Sequence, residues 1–399
     1  MAALAAMLSL IAGGVSADAV KVARATAVPA CTMHVDASAS GGDGSAEKPL
    51  KTIAAAVEAA NPGAVICVAE GTYGEQILPG EKDFTLAGGF QRGGGFKVRD
   101  SAKFVSKAQG DGSGSFLRIV DPGPKGEQLT VIDGFEITGY AQAIVRDFYE
   151  KQRFDVTNNN IHDNKCTDDQ AVGAGFALNN ITGTIAKNVI RNNSCGRGGA
   201  GFLNDATKNT VTVEGNLVDG NSGTEPGSAH GGGLYLFGYA LSIVGNEIIN
   251  NSVTQWGGGL YIGAFVPGNQ PTTATLARNV YRGNRAGDSG GGFFCDDGAT
   301  CFASHELYDR NCGGNVLVDG GFEGSGATRA SFDHITNVNA LDVGCGGPGI
   351  GVWVDTYDAF APTHTRSRIP YSGAMRRRRI SQPRAARVAA RSRSMSRTP

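Results

Sequence analysis

The chain has 399 residues, 36 Lys plus Arg against 37 Asp plus Glu, and 60 glycines. That glycine share is about twice the ordinary one, which suits a corner-rich fold, and the length allows one large domain without an evident second. The near-zero net charge hides an asymmetry, because residues 364–399 hold eleven Arg and no acid, while the rest carries 25 Lys plus Arg against 37 acids, a net of −12.

Residues 2–15 are almost wholly apolar, and Val15, Ser16 and Ala17 offer small residues for cleavage. The run is short for a membrane span, which needs about 20 apolar residues. It reads as an export signal within a leader and linker over 1–30, although no basic residue precedes its core. No internal membrane helix is expected. Residues 49–61 form the one expected helix. The run from Thr52 to Ala60 is Ala-rich, and Asn61, Pro62 and Gly63 end it. Laid across the open end of a sheet structure, such a helix blocks end-to-end stacking.

From residue 161 the chain repeats itself. A tetrapeptide of form apolar-x-x-Asn closes at Asn164, Asn193, Asn221, Asn251, Asn284 and Asn311, with a degraded copy at Asn339. The intervals are 29, 28, 30, 33, 27 and 28 residues. A second repeat runs beside it, in which Gly175, Gly201, Gly233, Gly259 and Gly292 each open a short apolar run. Self-similarity at this period means a solenoid, propeller or array. No amphipathic helix fits between the copies, which excludes helical solenoids, and a propeller blade needs a longer repeat of roughly 40 residues. The expected fold is therefore all-β, a single-stranded right-handed parallel β-helix over 31–360 with an N-terminal capping helix. Coils about 4.8 Å apart would stack the closing asparagines into a self-satisfying amide ladder. Asn also tolerates the left-handed backbone of a sharp corner. These residues are expected to build the fold and do no chemistry.

The alternation of apolar-x-x-Asn with Gly-Gly-apolar resembles the repeat of polymorphic outer-membrane proteins, a family of bacterial surface β-helices. The stretches 34–53, 64–73 and 131–138 resemble the opening strands of the pectate-lyase-like superfamily. The likeness runs from about residue 31 to 355 and implies the fold. It leaves function open, because this scaffold carries lyases, hydrolases, adhesins and stalks alike.

Eight cysteines fit an oxidising destination, secreted or at the cell surface or outer membrane. Cys166 and Cys195 each lie two residues after a closing Asn, so they fall on adjacent coils within disulfide range. Cys31 and Cys67 flank the helix, Cys295 and Cys301 bracket an Asp-Asp-Gly loop, and Cys312 and Cys345 remain as a further pair; the bland alternative is a reduced Cys stack. The cysteines lack metal-ligand spacing, so no metal site is expected.

Lyases and hydrolases of this fold hold several carboxylates on neighbouring coils. Asp205 and Asp296 both fall four residues after a repeat Gly, which places them on one face but three coils apart, too far to act together. Asp168-Asp169 and Asp296-Asp297 are doublets that read as solvated corners. The run from Thr167 to Gln170 faintly resembles the Asp-Asp of polygalacturonases, whose companion segments are missing. No catalytic residue is assigned.

A binding site has better register. One residue after the repeat Gly come Phe176, Phe202, Leu234, Leu260 and Phe293, expected to point inward. The next position, expected outward, holds Ala177, Leu203, Tyr235, Tyr261 and Phe294. His230 and Trp256 sit on adjacent coils three residues before the Gly, and Asp288 four before its own. Tyr235, Tyr261, Phe294, His230, Trp256 and Asp288 are the candidate ligand-binding residues, since aromatic faces stack on sugar rings and His and Asp bind hydroxyls. The bland alternative, slightly favoured, is an aromatic ladder that packs under a loop or stiffens the sheet.

The Arg-rich 361–399 is expected to be disordered and reads best as an out-of-frame or truncated end rather than a nucleic-acid arm. The function expected is that of an exported monomer that binds an extracellular polysaccharide or other surface ligand, with no cofactor and no nucleic-acid partner. The rival is a polysaccharide lyase or glycoside hydrolase acting on a pectin-like or other acidic glycan, with Ca²⁺ entering only under the lyase reading.

Overall fold

The computed structural model describes residues 25, 27–120, 126–147, 150–205, 209–263, 271–319 and 328–338, together with the short strands Val352–Val354, His364–Arg368 and Arg376–Arg377. The expected leader, Asn339, Cys345 and most of the Arg-rich stretch lie outside the described residues.

The chain is a parallel β-helix. Each coil contributes one strand to each of three long sheets. Sheet 1 has twelve strands, from Met33–Val35 to His364–Arg368; sheets 2 and 3 have ten each; a four-stranded ribbon lies at one corner. All paired strands within these sheets are parallel. One coil shows the plan. Thr210–Glu214 lies in sheet 1, Leu217–Asp219 in sheet 2, Ser222–Gly223 in the ribbon and Leu234–Phe237 in sheet 3. Alternate residues of each strand point inward and form one continuous core. The apolar residue three before each closing Asn supplies a core row of Ile161, Ile190, Val218, Ile248, Tyr281 and Tyr308, all at most 1% exposed. The last two rings stack at 4.9 Å.

The asparagines stack as expected. Nδ2 of Asn193 donates to Oδ1 of Asn221 at 3.0 Å, and Asn221 repeats this to Asn251. Each Oδ1 also accepts the backbone N–H of the preceding ladder residue, as Asn221 does from Asn193 at 2.9 Å. The ladder begins where Asn164 accepts from Tyr140 N and ends where Asn311 donates to Asn315. The left-handed backbone, however, belongs to the residue before each ladder Asn: Asp163, Asn192, Gly220, Asn250, Gly283 and Arg310 have φ between 52° and 66°. The ladder Asn is kept for its side chain, and its neighbour makes the corner.

A second ladder lies at the corner between sheets 1 and 2, through Asn159, Asn188, Asn216, Asn246 and Asn279. It ends on Glu306, whose carboxylate accepts from Asn279 N and Nδ2. Its sequence signal is an Asn five residues before each closing Asn.

The helix is shorter than expected, Ile53–Ala59. Thr52 caps it by accepting from Ala55 N, and the Glu75 carboxylate accepts from the N–H groups of Ile53 and Ala54. Ile53, Ala56 and Val57 are buried. Disulfides join Cys31 to Cys67, Cys166 to Cys195 and Cys295 to Cys301, with Cα separations of 5.7, 4.8 and 6.6 Å. Cys312 is also disulfide-bonded. No helix among the described residues is long and apolar enough to cross a membrane.

Candidate functional site

The outer face of sheet 3 carries a row of rings. Strand register runs Ala177, Phe202, Tyr235, Tyr261, Phe294, Leu317. Ring centroids along it are 5.5, 5.2 and 5.1 Å apart, from Phe202 to Phe294.

One expectation fails here. Phe202 points outward and Leu203 inward, the reverse of the repeat-based assignment. Gly201, not Phe202, is the inward partner of Phe176 and Leu234. The Phe176 ring fills the space above Gly201, where an added Cβ would meet it at 2.0 Å. One large ring thus takes two levels of the core, and the repeat slips by a residue. The row is not an exposed stripe. Tyr235, Tyr261 and Phe294 are only 6%, 2% and 2% exposed. They pack with Phe237, Leu317, Phe202 and Trp256 into a second apolar cluster outside the solenoid interior. Rings one coil apart bury one another, and the next layer covers them.

That layer is formed by His230 and Trp256, whose strands bridge in parallel to each other and on to Ser289. His230 stacks on Tyr235 at 5.4 Å and on Trp256 at 5.0 Å. Trp256 is half-buried. Its indole N–H donates to exposed Asp288 at 2.9 Å, which locks the ring in place. Beside His230, Arg197 pairs with Glu225 and donates to Ser228 at 3.0 Å. Burial, aided by the Arg197 charge, pushes the His230 imidazolium down to about 4, so the ring is neutral near pH 7. The structure thus brings five of the six candidates, His230, Tyr235, Trp256, Tyr261 and Phe294, into one cluster and sets Asp288 on its rim. Of the six, only Trp256, His230 and Asp288 keep surface in solvent.

The far end of the cluster carries acids, and the Asp296-Asp297 doublet is buried there rather than forming a solvated corner. The Tyr261 hydroxyl lies 2.8 Å from Oδ2 of Asp296 and 3.1 Å from Oδ2 of Asp297. Asp319 stands opposite Asp296 on the next coil, following the paired Cys295 and Val318, and its N–H donates to the Cys295 carbonyl. Burial, then the Asp297 and Asp319 charges, hold the Asp296 carboxyl well above the usual range. Sequence reading missed Asp319, because Asn315 stands where the other coils place the repeat Gly that opens the apolar run. Asp205 is level with Gly238 rather than with Phe237, again through the slip at Gly201, and its carboxylate is engaged by Asn209. Asp168 and Asp169 are exposed, and Asp168 accepts from Gln170 N in a local turn. Among the described residues no group of three His, Cys, Asp or Glu is arranged to hold a metal ion.

Two solved structures are similar to the chain. The catalytic unit of a thermostable GH87 α-1,3-glucanase from Streptomyces thermodiastaticus strain HF3-3 is 18% identical, covering 86% of this chain and 68% of its own, with a TM-score of 0.49. The pectate lyase Pel9A is 16% identical, covering 79% and 82%, with a TM-score of 0.44. No curated protein matches the chain significantly. A family model described as "Protein of unknown function (DUF1565)" matches residues 38–292, well over half of the sequence, and the chain belongs to that family.

Proposed function

We propose that the protein binds an extracellular or cell-surface polysaccharide at the rim formed by Trp256, His230 and Asp288. The observation that carries this is the fixed indole. Trp256 is stacked on one face by His230 and tethered through its N–H by Asp288, yet keeps part of its surface in solvent. A ring immobilised before the ligand arrives loses little further freedom on stacking against a sugar. Neutral His230 and the Asp288 carboxylate stand beside it as partners for hydroxyls. The disulfides support an oxidising destination.

Titration against a panel of soluble polysaccharides, followed by tryptophan fluorescence, tests the reading. The chain has two tryptophans, so a Trp353→Phe background isolates Trp256. Trp256→Ala, measured by isothermal titration calorimetry because it removes the fluorophore, is expected to weaken binding of the active glycan about tenfold, roughly 1.4 kcal/mol. Unchanged affinity would clear the rim of this role.

One observation favours a second reading, glycan hydrolysis. Burial and the neighbouring Asp297 and Asp319 charges raise the Asp296 carboxyl well above its usual range, the direction a general acid requires. Under that reading Asp296→Asn abolishes release of new reducing ends while the glycan still binds. Binding without any such release, in the unaltered protein, would discard it.

A further inference from the structure

The outer face of sheet 1 carries a two-dimensional lattice of hydroxyls. Over five consecutive coils, one outward row reads Thr182, Thr210, Ala240, Thr273, Thr300, and the row two residues along reads Thr184, Thr212, Ser242, Thr275, Phe302. Eight of these ten positions are Thr or Ser, and none is charged. The pairing runs in unbroken register throughout. Thr210 and Thr275 are exposed and the other six half-buried. Inward neighbours such as Val211, Leu241, Ala274 and Cys301 are at most 3% exposed, which anchors the sheet from beneath.

The preference of Thr for strands accounts for part of this. It does not account for the absence of charge on a solvent-facing surface five coils long. Charges return where the rows end, at Arg153 and Asp155 on one side and Arg329 on the other. The next outward row carries one charge, Glu214, between Ala186 and Val244.

The lattice has two periods. Along the solenoid axis it is the strand spacing, about 4.8 Å, and across each strand it is two residues, about 6.6 Å. Threonine is stiff at χ1, so methyl and hydroxyl groups hold their places. Thr182 shows such locking, its hydroxyl donating to the Thr210 carbonyl at 2.9 Å. A flexible polymer repeats in one dimension and is gripped in a groove. A surface that repeats in two dimensions without charge fits the face of a neutral crystal; the axial period lies close to the shorter oxygen repeat on a prism face of hexagonal ice, and the cross-strand period lies somewhat below the longer one.

We infer that this face binds ice, with Thr210, Thr212, Thr273 and Thr275 at its centre. It lies on a different sheet from the Trp256 rim and does not depend on the polysaccharide reading.

The test uses the full chain at low concentration, with polycrystalline ice grown slowly from the solution. Protein is measured in the ice and in the remaining liquid. The unaltered chain is expected to concentrate in the ice, and Thr212→Lys and Thr275→Lys to be excluded from it while melting at the unaltered temperature. Phe302→Thr, which completes the second row, is expected to raise the ice fraction. Trp256→Ala is expected to leave it unchanged. Exclusion of the unaltered chain to the level of an ordinary globular protein overturns the inference, and so does retention of both folded lysine variants.

Discussion

Asn221→Ala is expected to cost about 4 kcal/mol, at the upper end of single-substitution effects. The side chain is fully buried and joins five hydrogen bonds. Its Nδ2 donates to Ile190 O, Asp219 O and Oδ1 of Asn251, and its Oδ1 accepts from N and Nδ2 of Asn193. Alanine leaves those partners in a site closed to water, each unsatisfied group costing about 1–3 kcal/mol. The contrast is Asn250, one residue before a ladder position, exposed and at φ 56°. Asn250→Gly relieves a left-handed backbone and gives up one surface contact to Asp219, so its effect should be small. Urea midpoints of the three proteins decide it. An Asn221→Ala midpoint equal to that of the unaltered chain would remove the ladder from the account of stability.

The second large effect concerns pH. Glu306 ends the second ladder where the repeat calls for Asn, and it is 1% exposed. Burial raises its carboxyl from 4.5 to about 7. The folded state therefore holds the proton more tightly than the unfolded chain. Its contribution is complete below pH 4.5 and is lost as pH rises to about 7, a change of about 3 kcal/mol. Above that the group is ionised in both states, and a carboxylate lies beside the packed rings of Tyr281 and Tyr308. Asn279, which donates to it, and Arg278 oppose the shift without cancelling it. Glu306→Gln keeps an acceptor for Asn279 and removes the titration. Its stability relative to the unaltered chain should rise between pH 4.5 and 7 and then level off. Asp296 titrates in the same direction but is common to both proteins, so the difference isolates Glu306. A pH-independent difference would refute the assignment.

Much of the solenoid was legible from spacing. A parallel strand pair must match levels, so residues that share a level recur at the coil length. The closing asparagines, the core row before them and the Cys166–Cys195 pair all follow from that constraint. The second ladder was equally periodic, and its signal, an Asn five residues before each closing Asn, lay in the same rows.

What spacing could not decide was anything set by volume or by coverage. The slip at Gly201 exists because the Phe176 ring occupies the neighbouring level, a fact about ring size across coils. The same slip moved Phe202 into the aromatic row and took Asp205 off the level of Asp296. The burial of Tyr235, Tyr261 and Phe294 depended on the His230 and Trp256 layer folding over them from a different part of each coil. Asp319 reached Asp296 through a coil in which Asn315 replaces the repeat Gly used to count levels.

The sequence by itself determined the coil length and the stacking of amides, because hydrogen-bonded repeats demand one residue type at one interval. Tertiary structure alone decided which outward side chains stay in water and which acids are brought together. Those outcomes depend on the shapes of non-repeating neighbours, which no period encodes.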